Sequence, residues 1–133
     1  NKIMLRPIHG KGKFTIGKGC SGQDLKDVII DVSGDITIGN EVIISDQCII
    51  YTHYHPMKKR KSITRQTKED GVIKTSLVIG DDVFLGARCI ILPQVTNIPR
   101  GTVIAAGAIL TKNPTGEYEI WGGNPAKKIG ERQ

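Results

Sequence analysis

Aromatic residues are scarce in this chain: one Trp, two Phe and three Tyr make up 5% of its 133 residues. They are too few to build a core, so the core must come from Ile, Val and Leu stacked in a regular way. Long apolar runs are missing as well. No stretch approaches the ~20 apolar residues of a membrane span. No signal-peptide pattern is recognisable, and the expected location is the cytoplasm. The three cysteines, Cys20, Cys48 and Cys89, are odd in number and form no C-x-x-C pair. That argues against a disulfide framework and for core-filling free thiols in a reducing compartment. The G-x-S-x-G signature of a nucleophilic serine is absent. Net charge is +6. No aromatics interleave the basic residues and no nucleic-acid-binding motif occurs, so nucleic acid is not an expected partner.

What the chain does have is a six-residue step. Val32, Ile38, Ile44 and Ile50 form one run; Ile79, Leu85 and Ile91 form a second, which resumes one residue late as Ile98, Ile104 and Leu110. Two places before these aliphatics stand small or β-branched residues: Ile36, Val42, Cys48, Val83, Cys89, Thr96, Thr102 and Ala108. Neither a helix nor a simple strand pair has this period. It is the spacing of a parallel β-helix, in which each hexad is one side of a coil and the aliphatic fills the bore. The extra residue reads as a bulge near Asn97. A solenoid of this size has open ends and a flat flank, so an oligomer is expected.

Taken in order, residues 1–12 carry no period and read as a leading strand or cap, with His9 a surface or cap residue. Phe14 to Gly17 reads as a first, imperfect coil side, and Gly17, Gly19 and Gly22 suit tight corners. Corners are expected at Gly34, Gly39-Asn40 and Ser45-Asp46. Asp31 has two readings, a group facing an acceptor or a corner carboxylate that bonds backbone N–H groups. The step from Ile50 to Ile79 is not a multiple of six, so residues 56–76 are expected to be extruded. This segment is basic (Lys58, Lys59, Arg60, Lys61, Arg65, Lys68) and reads either as a solvated loop or as a flap over an anionic ligand. Residues 111–133 read as a tail, with Trp121 packing on the coil flank. The chain is expected to be one domain over 1–133, with coils over 1–110.

His53 and His55 stand where the extruded segment begins. Imidazole near neutral pH can take a proton from a hydroxyl nucleophile. Zinc needs three or four ligands, and only His9 remains as a third histidine, so no metal is expected. Spacing alone leaves a catalytic pair and two surface histidines equally open.

Three motifs bear a likeness to known proteins. Ile50-Tyr51-Thr52-His53-Tyr54-His55-Pro56 resembles I-Y-T-x-x-H-P. Ile79-Gly80-Asp81-Asp82-Val83-Phe84-Leu85-Gly86-Ala87 through Ile91-Leu92-Pro93 resembles I-G-D-x-V-W-I-G-x through I-L-P. Gly123-Asn124-Pro125-Ala126-Lys127-Lys128-Ile129 resembles G-N-P-A-K-x-I. Over about residues 28–130 the chain resembles the hexapeptide-repeat acyltransferases, nearest to the maltose/galactoside and polysaccharide O-acetyltransferases. The resemblance implies an all-β chain folded as a single-stranded left-handed parallel β-helix, although crossover rules alone would favour the right hand.

It further implies acetyl transfer from acetyl-CoA to a hydroxyl, most simply that of a sugar or polysaccharide precursor, in a homotrimer with sites at the subunit interfaces. His55 matches the general base, with His53 a second choice or an orienting neighbour. Ala87 and Ala106 match positions whose backbone N–H groups contact the acyl-thioester or pantetheine. Lys112, Lys127 and Lys128 match cations near the CoA phosphates. Phe84 stands where most members carry a Trp beside the acceptor, Gln94 stands for the usual Gly after I-L-P, and the long basic segment is atypical. Rival readings are N-acetylation of an amino sugar or nucleotide sugar, a non-catalytic β-helix that binds CoA or a glycan, and a zinc-dependent hydratase.

Overall fold

The hexads become the sides of a coil. A computed structural model of the chain describes residues 3–20 and 27–133; Gly22, expected at a corner, lies outside them. Short strands alternate with four-residue corners, and each coil visits three flat faces in turn. The first face is built from β2 (Phe14–Ile16), β4 (Ile36–Ile38), β9 (Leu77–Ile79) and β12 (Asn97–Ile98). The second holds β5 (Ile43–Ile44), β10 (Phe84–Leu85), β13 (Val103–Ile104), β15 (Glu119–Gly123) and β16 (Ala126–Glu131). The third holds β1 (Ile3–Arg6), β3 (Val28–Asp31), β6 (Ile49–Ile50), β11 (Ile90–Ile91) and β14 (Ile109–Leu110). Coil-to-coil pairing is parallel and in register, so Ile44, Leu85 and Ile104 stack on one face while Ile50, Ile91 and Leu110 stack on another.

This register places every aliphatic of the six-residue step inside the bore, along with Ile36, Val42, Cys48, Val83, Cys89, Thr102 and Ala108. Burying one such Ile or Leu contributes roughly 1.5–3 kcal/mol. Cys48 and Cys89 sit on successive coils with their sulfurs 3.4 Å apart as free thiols. The neighbouring Cys48 sulfur, together with burial, pushes the Cys89 thiol well above its ordinary range.

The corners from the first face to the second and from the second to the third turn through one left-handed residue each: Glu41 (φ 58°), Gln47 (62°), Asp82 (56°), Arg88 (60°), Gly101 (73°) and Gly107 (71°). Corners of neighbouring coils then stack closely. A Cβ at Gly34 would lie 1.7 Å from the Thr75 carbonyl oxygen.

The structure corrects three expectations. The extra residue, expected as a bulge in one side near Asn97, sits instead in the corner that ends just before Asn97 and β12. Val95 fills the bore at 1% exposure, its N–H donating to the Leu92 carbonyl, while Thr96 points to solvent. The extruded segment is not structureless, because it carries α1 (Ile63–Asp70). Ser62 caps the helix by accepting from the Arg65 N–H, and the segment leaves and rejoins the coil as an antiparallel pair, β7 (His53–Tyr54) with β8 (Ile73–Lys74). Trp121 lies in line with Ile104 at 3% exposure, plugging the end of the bore instead of lying on the flank.

The same end is sealed by two further devices. Asn113 Oδ1 accepts the N–H groups of Thr96 and Asn97, which would otherwise await a further strand on the first face. The G-N-P-A-K motif makes the turn that folds β16 back on β15, with Asn124–Pro125 cis.

Glu119 is buried under that turn. Burial pushes its carboxyl upward. Hydrogen bonds from Thr115, from the Trp121 indole and from the Gly116 backbone, together with Lys128, outweigh burial and bring it down to about 2. A depressed carboxyl stabilises the fold fully above its ordinary 4.5 and loses that contribution as pH falls toward about 2. Glu119→Gln should therefore lower the melting temperature at pH 7, with the gap to wild type closing between pH 4.5 and 2 in a thermal-melt series.

Gly34→Ala should cost about 1–3 kcal/mol or more in urea unfolding, because backbone meets backbone. Gly116→Ala, whose Cβ would meet only a carboxylate oxygen at 3.5 Å, should stay within about 0.5 kcal/mol.

Candidate active site

The edge where the third face turns into the first gathers the titratable groups. Asp31 ends β3, and strand alternation would aim it outward. The leading segment and the extruded hairpin cover it, so it is fully buried. Its Oδ1 accepts from the Ser33 N–H (3.0 Å) and the Ser33 hydroxyl (2.6 Å), and its Oδ2 from the Thr52 N–H (2.9 Å) and from His53 Nδ1 (2.5 Å). Burial pushes the Asp31 carboxyl upward, but the bonds from Ser33, Thr52 and His53 together win and hold it below its ordinary 3.8. Thr52, also fully buried, donates to the Asp31 carbonyl (2.6 Å) and accepts the Gly34 N–H (2.9 Å).

His53 is thereby fixed through Nδ1, with its side chain 10% exposed. His55 lies one coil-edge position further out, its Nδ1 3.1 Å from the Thr67 hydroxyl of α1. His9, expected as a cap residue, joins the pair. Its ring centroid is 4.6 Å from that of His53 and 5.6 Å from that of His55. No sequence signal marked His9, because the segment that delivers it has no period. Ser33 and Thr67 were missed because each acts across the coil edge. Beside His55, between hairpin and helix, opens a cleft of about 520 Å³ lined by Tyr54, Met57, Gln66, Ile73 and Gln94 among others.

The other sequence-predicted residues lie on different edges and faces. Ala87 and Ala106 occupy successive corners between the second and third faces, where the Gly107 N–H bonds the Ala87 carbonyl. Among the described residues, the N–H groups of Ala87 and Ala106 have no acceptor within the chain. Phe84 is 38% exposed on the outside of the second face, in line with Ile43 and Val103. Lys112 lies 5.9 Å over the Trp121 ring. Lys128 is engaged by Glu119 and Glu131, and Lys127 is exposed. A single chain thus does not gather its histidines and these positions on one edge.

No protein-family model matches the chain. It is 34% identical over 108 residues to a probable acetyltransferase of Mycobacterium tuberculosis, covering 81% of this chain and 34% of that protein. The chain therefore spans about a third of that relative's length. Among solved structures, a maltose O-acetyltransferase from Clostridium difficile 630 superposes with a TM-score of 0.71 at 27% identity, covering 100% of this chain and 65% of that one. An N-acyltransferase from Bacillus cereus, crystallised with dTDP and 3-hydroxybutyryl-CoA, shares the fold at 22% identity with a TM-score of 0.76, over 98% of this chain and 66% of that one.

Thr52→Val keeps the shape of the buried side chain but leaves the Gly34 N–H without its acceptor. It should cost about 1–3 kcal/mol in urea unfolding. In sequence motifs and in fold, the chain is a hexapeptide-repeat protein with the left-handed parallel β-helix, resembling the acetyltransferases built on that fold.

Proposed function

We propose that this chain transfers an acetyl group from acetyl-CoA to a hydroxyl of a sugar or polysaccharide precursor. The observation that carries the reading is the buried Asp31 beneath His53. With Nδ1–H given to the carboxylate, His53 Nε2 keeps its lone pair. It removes the acceptor hydroxyl proton as the oxygen attacks the thioester carbonyl. The tetrahedral intermediate collapses, the C–S bond breaks, and the CoA thiolate leaves with the proton returned from Nε2. No covalent enzyme intermediate is involved.

This geometry favours His53 over His55 as base, the reverse of the order that the His-Pro motif suggests. Asp31 then acts as the group that orients the imidazole and stabilises its protonated form, not as a contact to the acceptor. His55 lines the cleft of about 520 Å³ and suits an acceptor contact there.

The unpaired N–H groups of Ala87 and Ala106 are suited to the thioester oxyanion or to the pantetheine amides. Lys112 and Lys127 are suited to the CoA phosphates; Lys128 would have to leave its carboxylate partners to join them. These groups and the histidines occupy different edges of the coil, which supports a homotrimer whose sites form between neighbouring chains. Phe84 and the outward isoleucines Ile29, Ile49, Ile90 and Ile109 offer apolar faces for that contact. Three free thiols suit a reducing, cytoplasmic setting. No helix among the described residues is long and apolar enough to cross a membrane. An amine acceptor on a nucleotide sugar is the second reading, because the N-acyltransferase above has the same fold.

The test is thiol release from acetyl-CoA against a panel of sugars and amino sugars, with a metal chelator present. His53→Ala should lower acceptor-dependent release about 10²–10⁴-fold. Asp31→Asn should lower kcat less, with binding of CoA retained. If His55→Ala alone abolishes release, the reaction stands and the base assignment falls. Release that no acceptor stimulates would leave a binding scaffold.

A further inference from the structure

The geometry points to a three-histidine site for a divalent transition-metal ion, formed by His9, His53 and His55. Acyl transfer needs one imidazole, yet three converge here. They are delivered by the segment after β1, by β7 and by the residue just beyond β7. One ring nitrogen from each lies within 4.8 Å of the other two. Tetrahedral zinc with Zn–N of ~2.0–2.1 Å needs nitrogens roughly 3.4 Å apart. Binding the ion would draw the three nitrogens together by that difference, and none of the three rings is packed in the bore.

Two of the three rings are already oriented from behind, and the third is anchored through its main chain. His53 gives Nδ1 to the buried Asp31, the carboxylate–histidine pairing that leaves Nε2 for a metal. His55 uses Nδ1 on the Thr67 hydroxyl, which likewise frees Nε2. The His9 main-chain N–H donates to Ser33 Oγ (3.0 Å), and Ser33 in turn donates to the same Asp31. One carboxylate therefore supports two of the three ligands.

An all-imidazole set selects Zn²⁺, Co²⁺, Ni²⁺ or Cu²⁺ and excludes Mg²⁺ and Ca²⁺, which require oxygen ligands. With three protein ligands the fourth position stays open to water or substrate. The ion would tie the leading segment to the extruded hairpin. It would also occupy the Nε2 lone pair of His53, so the loaded chain would be held inactive in acetyl transfer; this consequence, unlike the site itself, rests on the acetyl-transfer reading.

The test titrates the chelator-stripped chain, carrying no polyhistidine tag, with Co²⁺ and follows the visible absorption bands. One equivalent per chain is expected, displaced by Zn²⁺. His9→Ala and His55→Gln should each weaken Co²⁺ binding at least tenfold, with melting temperatures recorded to check their folding. X-ray absorption on the zinc-loaded wild type should count three imidazoles, a readout that needs no variant. Absence of stoichiometric binding, a count below three, or undiminished binding in both folded variants would overturn the proposal. Because metal binding is read without acetyl-CoA and transfer is read with chelator present, each assay can fail while the other succeeds.

Discussion

In-register stacking of aliphatic side chains along the bore is the constraint on which everything else depends. Ile44, Leu85 and Ile104 on one face, and Ile50, Ile91 and Leu110 on another, can stack only if successive coils repeat without slippage. A shift of one residue would turn the whole set outward. That rigidity is why the corners are so uniform. In the corners on either side of the second face the third residue turns left-handed, and Glu41, Gln47, Asp82 and Arg88 accept a conformation that glycine would take more cheaply. The five-residue corner at 92–96 absorbs its extra residue by turning Thr96 out and Val95 in, leaving the strands on either side in register.

A solenoid held together this way must still end. Here the far end is closed by side chains and by a fold-back of the chain. Trp121 fills the bore where another aliphatic would stand, Asn113 stands in for a missing strand, and β16 covers β15. The Glu119 cluster holds this closure by bonding the Trp121 indole and Lys128 together. A buried carboxylate with all its oxygens engaged recurs at the other polar focus, Asp31. Both are carboxylates whose burial is outweighed by hydrogen bonds.

The extruded segment turns this scaffold into a site. Because Thr52 and Thr75 are joined across its base (Thr75 N–H to Thr52 carbonyl, 2.9 Å), the coil continues beneath it undisturbed. The segment can then carry a helix and a basic surface without breaking the stack. Lys61 pairs with Glu69 across α1, which holds part of the basic run on the surface. The imidazoles therefore rest on the coil edge and face the helix and hairpin of the extruded segment.

Much of this was legible in the residues. The period of six gave the coil, its bore residues and its interruption at 56–76, because that register is local and repetitive. The motifs around His53, Phe84 and Asn124 pointed to the acetyltransferases. The sequence could not rank His53 against His55, since what separates them is a carboxylate about twenty residues away, stacked beneath one ring and not the other. Nor could it place His9, Ser33 or Thr67, which meet the site only because coils stack and the leading segment folds over the edge. Composition and period by themselves determined the β-helix and its core, because each hexad needs only its neighbours. Tertiary structure alone decided which polar groups share an edge, because that depends on how many residues each coil and each insertion contribute before the chain returns.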